Sequence, residues 1–201
     1  MPAHESLLSW LGLMIVAPPA ALLAVFFAAF LLNRRLQEEP IGRLIQGIIS
    51  LSLLAAVSAS VIMLWHRVPQ HAIELGDWVI TAHYHLKFEF VLDLLSLSYV
   101  MLTLVLSAVI SAFSTRYLHR ERGYNRFFVL FALFLLGMVT ASLSDTVETL
   151  FAGWEMVGLS SFLLIAFFQF RDGPMRGGLR AFITYRITDV GLLVAGVLLH
   201  H

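Results

Sequence analysis

The sequence predicts an all-α membrane protein with six transmembrane helices and a short hairpin between the second and third helices. The 201-residue chain is 59% hydrophobic and only 13% charged, so it is far more apolar than an ordinary soluble domain. Its apolar residues also fall into six long stretches that charged or turn residues separate. Lipid rather than water is therefore the expected solvent for most of the chain.

Each apolar stretch can cross a hydrocarbon core of about 30 Å at about 1.5 Å per residue. The predicted spans run over residues 6–32, 41–65, 92–117, 126–143, 146–170 and 180–200. The first stretch has no basic segment before it and no convincing cleavage site, so it is expected to remain as a helix. Residues 1–201 are thus expected to form a single transmembrane domain.

The longest connection, residues 66–90, carries an alternating pattern from His83 to Phe90 that is typical of a hairpin strand. His83 and His85 would lie on one face of that strand. Two imidazoles alone are a weak metal signal, so no metal site is predicted.

Arginines are concentrated in three of the five connections, and these three alternate onto one side of the membrane. They are Arg34, Arg35 and Arg43; Arg116, Arg120, Arg122 and Arg126; and Arg171, Arg176 and Arg180. The positive-inside rule makes this side cytoplasmic. The chain is expected in the inner membrane, with both termini and the hairpin on the periplasmic side.

Composition excludes several classes of function. A formal net charge of zero gives no basic field for nucleic acid. Without cysteine, the chain has no thiolate to hold an iron–sulfur cluster or to act as a nucleophile. The loops contain no nucleophile–base pair and no glycine-rich phosphate loop, so neither a self-contained active site nor a cofactor is predicted.

Glu155 is the main candidate for function, because it lies inside the fifth apolar stretch. A carboxylate there costs a few kcal/mol even on lenient insertion scales, and such residues usually face a bundle interior or a wet cavity. One interpretation is a proton path in which Glu155 takes up and releases a proton. The other is a hydrogen-bonding strut between helices.

Four further charged residues are candidates for the same path. Arg186 and Asp189 are three residues apart on one face of the sixth helix, where they could neutralise each other or line a half-channel with Glu155. Glu148 and Asp145 lie at the outer end of the fifth helix. They could form a funnel for protons or simply complement the helix dipole.

The segment from Gly153 to Ile165 resembles the fifth-helix signature of the antiporter-like subunits of respiratory complex I, Mrp antiporters and inorganic-carbon uptake complexes. Supporting matches lie at residues 92–97, at residues 121–128, and from Ala181 through Asp189. In that family the fifth-helix glutamate is understood to pair with a lysine on a broken seventh helix. The resemblance implies this proton-translocating role for Glu155, with Arg186 and Asp189 as accessory residues.

The resemblance covers only the N-terminal part of such subunits, since the sequence ends after the predicted sixth helix. The expected partners are therefore the lipid bilayer and other membrane subunits that supply the remaining helices and the lysine. A peripheral catalytic subunit is also implied, either redox-active or a zinc-dependent carbonic-anhydrase-like protein. The leading hypothesis is a proton-conducting subunit of such a complex, and the alternative is an anchor without its own proton path.

Overall fold

The structure is a computed structural model that describes residues 3–32, 34, 37–81, 84–121 and 123–200. Arg35, Arg122 and His83, which the sequence analysis used, lie outside these residues. Within the described ranges the chain folds into six helices and one antiparallel two-stranded sheet. These elements are α1 (Ala3–Leu31), α2 (Glu38–His66), β1 (Gln70–Thr81), β2 (Tyr84–Asp93), α3 (Leu94–Tyr117), α4 (Tyr124–Leu143), α5 (Val147–Ile165) and α6 (Asp172–His200).

The prediction of an all-α membrane protein is confirmed. Among the described residues, helices α1 to α5 are long and apolar enough to cross a membrane by length and composition. Helix α6 has 29 residues, which is sufficient length, but its N-terminal half also carries Arg176, Arg180 and Arg186. A sixth span therefore stays a prediction.

The connection between α2 and α3 is a hairpin, and it is longer than the sequence pattern indicated. Gln70 pairs with Asp93 at its base and Thr81 with Tyr84 at its tip, with register shifts between Glu74 and Val79. Strand β2 thus takes Leu92 and Asp93, which the hydropathy pattern assigned to the third span. Which side of the membrane the hairpin occupies stays a prediction.

The hairpin base packs on one end of the helical bundle. His71 in β1 lies 2.8 Å from the hydroxyl of Ser9 in α1, measured from Nε2 to Oγ. Phe90 in β2 forms a bridge with Ser144, which follows α4, and the Asp145 amide donates to the Glu89 carbonyl at 3.2 Å. This end therefore also holds the start of α1 and the α4–α5 connection.

The three basic connections meet at the opposite end of the bundle. Glu38 at the start of α2 pairs with His119 in the α3–α4 connection, with 2.6 Å between Oε2 and Nδ1. Arg126 at the start of α4 donates from Nη2 to the Phe167 carbonyl, which lies between α5 and α6, at 2.8 Å. These contacts confirm that the three basic connections lie at the same end of the bundle. The assignment of this end to the cytoplasm stays a prediction.

Asp93 caps the start of α3. Its carboxylate accepts from the Ser96 amide at 2.6 Å, and the Ser96 hydroxyl accepts from the Asp93 amide at 3.0 Å. This reciprocal arrangement satisfies two backbone donors at the helix start. It also fixes where the hairpin ends and α3 begins.

Helices α4 and α5 cross closely at two glycines, Gly137 in α4 and Gly153 in α5. A Cβ atom added at Gly153 would lie 2.5 Å from the backbone nitrogen of Ala141, and one at Gly137 would lie 2.8 Å from the Cβ of Met156. Small residues let the backbones of membrane helices approach in this way. The crossing sets the position of α5, and with it the position of Glu155.

The boundaries of the last two helices differ from the predicted ones. Helix α5 ends at Ile165 rather than near residue 170, and α6 begins at Asp172 rather than near residue 180. Pro174 lies in the first turn of α6, where its missing N–H costs little. At Gly178 an added Cβ would lie 2.7 Å from the Ala166 Cβ, so this glycine lets the α6 start pack closely on the α5 end.

Candidate functional site

Glu155 lies near the middle of the 19-residue α5, and the structure places Arg186, at the middle of the 29-residue α6, beside it. Nη1 of Arg186 lies 2.8 Å from Oε2 and 3.1 Å from Oε1 of Glu155. The same nitrogen lies 3.1 Å from Oδ2 of Asp189. One guanidinium therefore bridges two carboxylates that belong to different helices, and we call these three residues the charged triad.

Burial differs sharply among the members of the charged triad. The Asp189 side chain is 6% exposed, that of Glu155 is 26% exposed, and that of Arg186 is 44% exposed. Asp189 is thus enclosed between α5 and α6, while Glu155 and Arg186 open onto the surface of the isolated chain. That opening is where a neighbouring protein segment or water could reach the charged groups.

Three aromatic side chains, those of Trp154, Tyr185 and Phe182, surround Asp189 and Arg186. The indole Nε1 of Trp154 donates to Oδ1 of Asp189 at 3.0 Å, so both carboxylate oxygens of this buried acid have a donor. The Tyr185 hydroxyl donates to the Trp154 carbonyl, and the two rings stack with centroids 5.9 Å apart. The guanidinium carbon of Arg186 also lies 5.4 Å from the centroid of the Phe182 ring, within cation–π range.

Charge balance is the chemically important property of this arrangement. Two carboxylates share one guanidinium, so the fully ionised charged triad carries a net charge of −1. An unbalanced charge is costly at membrane depth, where protein and lipid screen it poorly. The arrangement therefore favours a further cation, either a proton on one carboxylate or a basic side chain from a neighbouring segment.

Of the five residues selected from the sequence, the structure brings together Glu155, Arg186 and Asp189, and it places Glu148 and Asp145 elsewhere. Glu148 lies in the first turn of α5, about 10 Å along the helix from Glu155 at ~1.5 Å per residue. Asp145 is exposed in the connection before Thr146, which caps α5. A funnel from these two acids to Glu155 stays a prediction.

Sequence reasoning missed Trp154 and Tyr185 as parts of the site. The available signal was Trp154 itself, because an indole N–H inside an apolar span needs an acceptor. Among the described residues, no group of three or more His, Asp or Glu side chains is arranged to hold a metal ion. The two carboxylates of the charged triad, held by one arginine, are groups that can bind a proton.

Two family models match this chain, and together they cover more than half of it. Residues 78–128 match NADH-Ubiquinone oxidoreductase (complex I), chain 5 N-terminus. Residues 144–201, which include the charged triad, match NADH:quinone oxidoreductase/Mrp antiporter, TM.

Several curated proteins are similar over much of this chain. NAD(P)H-quinone oxidoreductase subunit 5, chloroplastic, of Nephroselmis olivacea is 28% identical over 198 residues, which are 96% of this chain and 28% of that protein. NADH-quinone oxidoreductase subunit L of Escherichia coli (strain K12) is 29% identical over 196 residues, which are 96% of this chain and 31% of that protein. NADH-ubiquinone oxidoreductase chain 5 of Mus musculus is 32% identical over 136 residues, which are 68% of this chain and 22% of that protein.

The chain spans less than a third of the length of these relatives. The match begins with the model of the chain 5 N-terminus and continues through the antiporter model. This chain therefore belongs to the family of antiporter-like membrane subunits that includes subunit L and chain 5 of the NADH-quinone oxidoreductases, and it corresponds to the N-terminal part of those proteins.

Proposed function

We propose that this chain contributes a proton-binding site to a larger, proton-translocating membrane complex, and that residues 1–201 act there as one transmembrane unit. Glu155 is the group that takes up and releases the proton. Arg186 balances the carboxylate when it is ionised, and Asp189 keeps Arg186 in place. The observation that carries the proposal is that one guanidinium serves two carboxylates near the middle of α5 and α6.

The geometry suggests which of the two acids exchanges the proton. Asp189 has a donor on each oxygen and a side chain that is only 6% exposed, so it is a fixed counter-charge. Within the described part of the chain, the Glu155 carboxylate has Arg186 as its only hydrogen-bond partner, and its side chain is 26% exposed. A change in the position of Arg186, or the approach of another cation, would therefore act mainly on Glu155.

The net negative charge of the charged triad also indicates what kind of partner this chain needs. We propose that another membrane subunit or segment covers the exposed side of the charged triad and brings a basic side chain, since the residual charge of −1 needs a cation. The names of the relatives favour a peripheral partner with redox chemistry. A zinc-dependent carbonic-anhydrase-like partner in inorganic-carbon uptake is the alternative, and identification of the proteins in the intact detergent-extracted complex separates the two.

A second candidate function is a structural anchor in which Glu155 is only a strut. The observation in its favour is that several polar contacts join α5 to α6. These contacts include the bonds from Trp154 to Asp189 and from Tyr185 to the Trp154 carbonyl. In this case the Glu155–Arg186 pair stabilises the bundle and no proton moves through it.

The test is Glu155→Gln in the assembled complex, reconstituted in liposomes, with proton uptake followed by a pH-sensitive dye. Glutamine keeps the size and the hydrogen-bonding oxygen of glutamate but cannot change its charge. The proposal predicts that coupled proton uptake falls about a hundredfold or more, since a general acid–base group typically contributes about 10²-fold to 10⁴-fold, while the complex assembles at its normal level. The anchor function predicts reduced assembly, or no effect on either measurement.

The matched control is Glu39→Gln. Glu39 also pairs with an arginine, Arg43, but this pair lies at the start of α2 with both side chains more than 70% exposed. Removing it tests the loss of an Arg–Glu pair outside the apolar part of the chain. Proton uptake is expected to stay unchanged in this variant, and an equal loss in both variants would contradict a specific role for Glu155.

A further inference from the structure

A large cavity lies at the basic end of the bundle, far along the helices from the charged triad and sharing no residue with it. Its volume is about 940 Å³, and it is bounded by the end of α1, the start of α2, the α3–α4 connection and the start of α4. At this end the helices leave the apolar part of the chain. The cavity therefore spans the expected boundary between hydrocarbon and headgroups.

Three arginines from three different segments line the cavity: Arg34, Arg120 and Arg126. Arg126 is already engaged, since it donates to the Phe167 carbonyl at 2.8 Å and to the Gln169 side chain at 3.2 Å. The guanidinium groups of Arg34 and Arg120, by contrast, make no hydrogen bond or ion pair within the described part of the chain. Two cationic side chains thus line the cavity with their donors available.

Two acids, Glu38 and Glu121, also line the cavity and reduce its positive charge without cancelling it. The Glu38 carboxylate is held on one rim, where it pairs with His119 and accepts from the Arg120 amide at 3.1 Å. Three guanidinium groups against two carboxylates leave a net positive lining. An anionic group is therefore the complementary ligand.

The remaining wall of the cavity is apolar and leads toward the membrane interior. Phe26 and Phe30 line it from α1, and Val129 lines it from α4. Phe30 is 58% exposed, so the wall continues onto the lipid-facing surface of the bundle. A ligand that fits both parts must carry a negative headgroup and a hydrocarbon chain.

We propose that this cavity binds an anionic phospholipid, with its phosphate between Arg34 and Arg120 and an acyl chain along Phe30 and Val129. Basic pockets between membrane helices are suited to such headgroups. The lipid would tie the α1–α2 connection to the α3–α4 connection. This inference does not depend on proton transfer by Glu155.

The test uses the full chain, purified in mild detergent and offered equal amounts of phosphatidylglycerol and phosphatidylcholine, with bound lipid counted by native mass spectrometry. Phosphatidylglycerol is expected to be retained in preference. The double variant Arg34→Gln/Arg120→Gln is expected to lower that preference roughly thirtyfold, since each of the two basic groups near the surface contributes about one kcal/mol toward anionic lipid.

Arg116→Gln is the matched control, because Arg116 is an exposed arginine at the same end of the bundle but does not line the cavity. Its preference for phosphatidylglycerol is expected to match that of the unaltered chain. Circular dichroism of each variant checks that the helices are intact. Equal retention of the two lipids by the unaltered chain, or an equal loss in the control, overturns the proposal.

A separate arm distinguishes a lipid from free phosphate. Inorganic phosphate in large excess is expected to leave the bound phosphatidylglycerol in place, because phosphate lacks the chain that contacts the apolar wall. Displacement of the lipid by inorganic phosphate would show that the cavity recognises only the anion, and the lipid proposal would then be wrong.

Discussion

Trp154 is the single residue whose replacement most directly tests the geometry of the charged triad. Its indole donates to the buried Asp189, and its carbonyl accepts from Tyr185. The side chain thus links α5 to α6 beside Glu155 without carrying a charge itself. Its effect can therefore be measured as stability, separately from any proton transfer.

Trp154→Phe removes the donor to Asp189 while keeping an aromatic ring next to Tyr185. We expect the free energy of unfolding of the detergent-solubilised chain to fall by about 1.5–3 kcal/mol, the usual contribution of a hydrogen bond to a charged group. Thermal unfolding measures this change. Trp10→Phe is the control, since Trp10 is 64% exposed on α1, and it is expected to leave the transition nearly unchanged. An unchanged transition in both variants would argue against the bond to Asp189.

The sequence revealed the members of the charged triad but not their pairing. Glu155, Arg186 and Asp189 stand out because charged residues are rare in apolar helices. Their spacing indicated only that Arg186 and Asp189 share a face of α6. Which face α5 presents to α6 depends on how the two helices rotate and pack, and no local pattern determines that.

Helices α4 and α5 offer a test at the scale of elements, because their close crossing positions Glu155. Gly153→Ala would place a Cβ 2.5 Å from the backbone nitrogen of Ala141, and backbone cannot move aside as a flexible side chain can. We expect the helices to separate and the free energy of unfolding to fall by about 1–3 kcal/mol. Thermal unfolding of the detergent-solubilised variant measures this loss of stability.

The matched control for this substitution is Gly47→Ala in α2, where an added Cβ meets nothing within 4 Å. Alanine favours helix over glycine by up to ~1 kcal/mol, so this variant is expected to be neutral or slightly more stable. If Gly153→Ala behaved like Gly47→Ala, the close approach of α4 and α5 would be wrong.

The end of α4 was predictable, since the apolar run stops at Leu143 before polar residues. The start of α3 was predicted two residues too early, at Leu92, because strand β2 extends to Asp93. Element boundaries were not predictable around residues 166–180. That stretch contains Gly173, Pro174 and a pair of glycines, which usually mark a loop. In the structure the proline lies in the first turn of α6 and Gly178 packs on Ala166, so tertiary packing overrides the local signal.

At the scale of the whole molecule, the alternation of basic connections correctly indicated which ends of the helices meet. Glu38 with His119, and Arg126 with Phe167, join all three basic connections at one end. The side of the membrane on which this end lies is a separate question. Contacts within the protein do not distinguish the two sides of the membrane. The assignment of this end to the cytoplasm therefore depends on the positive-inside rule.

The absence of cysteine makes this orientation directly measurable, because any introduced thiol is unique. Gln37→Cys and Gln70→Cys form a matched pair, since both glutamines are exposed and uncharged but lie at opposite ends of the bundle. A membrane-impermeant maleimide applied to intact cells is expected to label the thiol at position 70 and not that at position 37. The reverse pattern would place the basic end outside.

If Glu155 carries the proton in the working complex, its carboxyl group must change its protonation state during turnover. Infrared difference spectroscopy of the assembled complex measures this most directly, because a protonated carboxyl group has its own C=O stretching band. We expect a carboxyl band that appears and disappears with turnover and is missing in Glu155→Gln. A difference spectrum that contains no such band, or one that Glu155→Gln leaves unchanged, would contradict it.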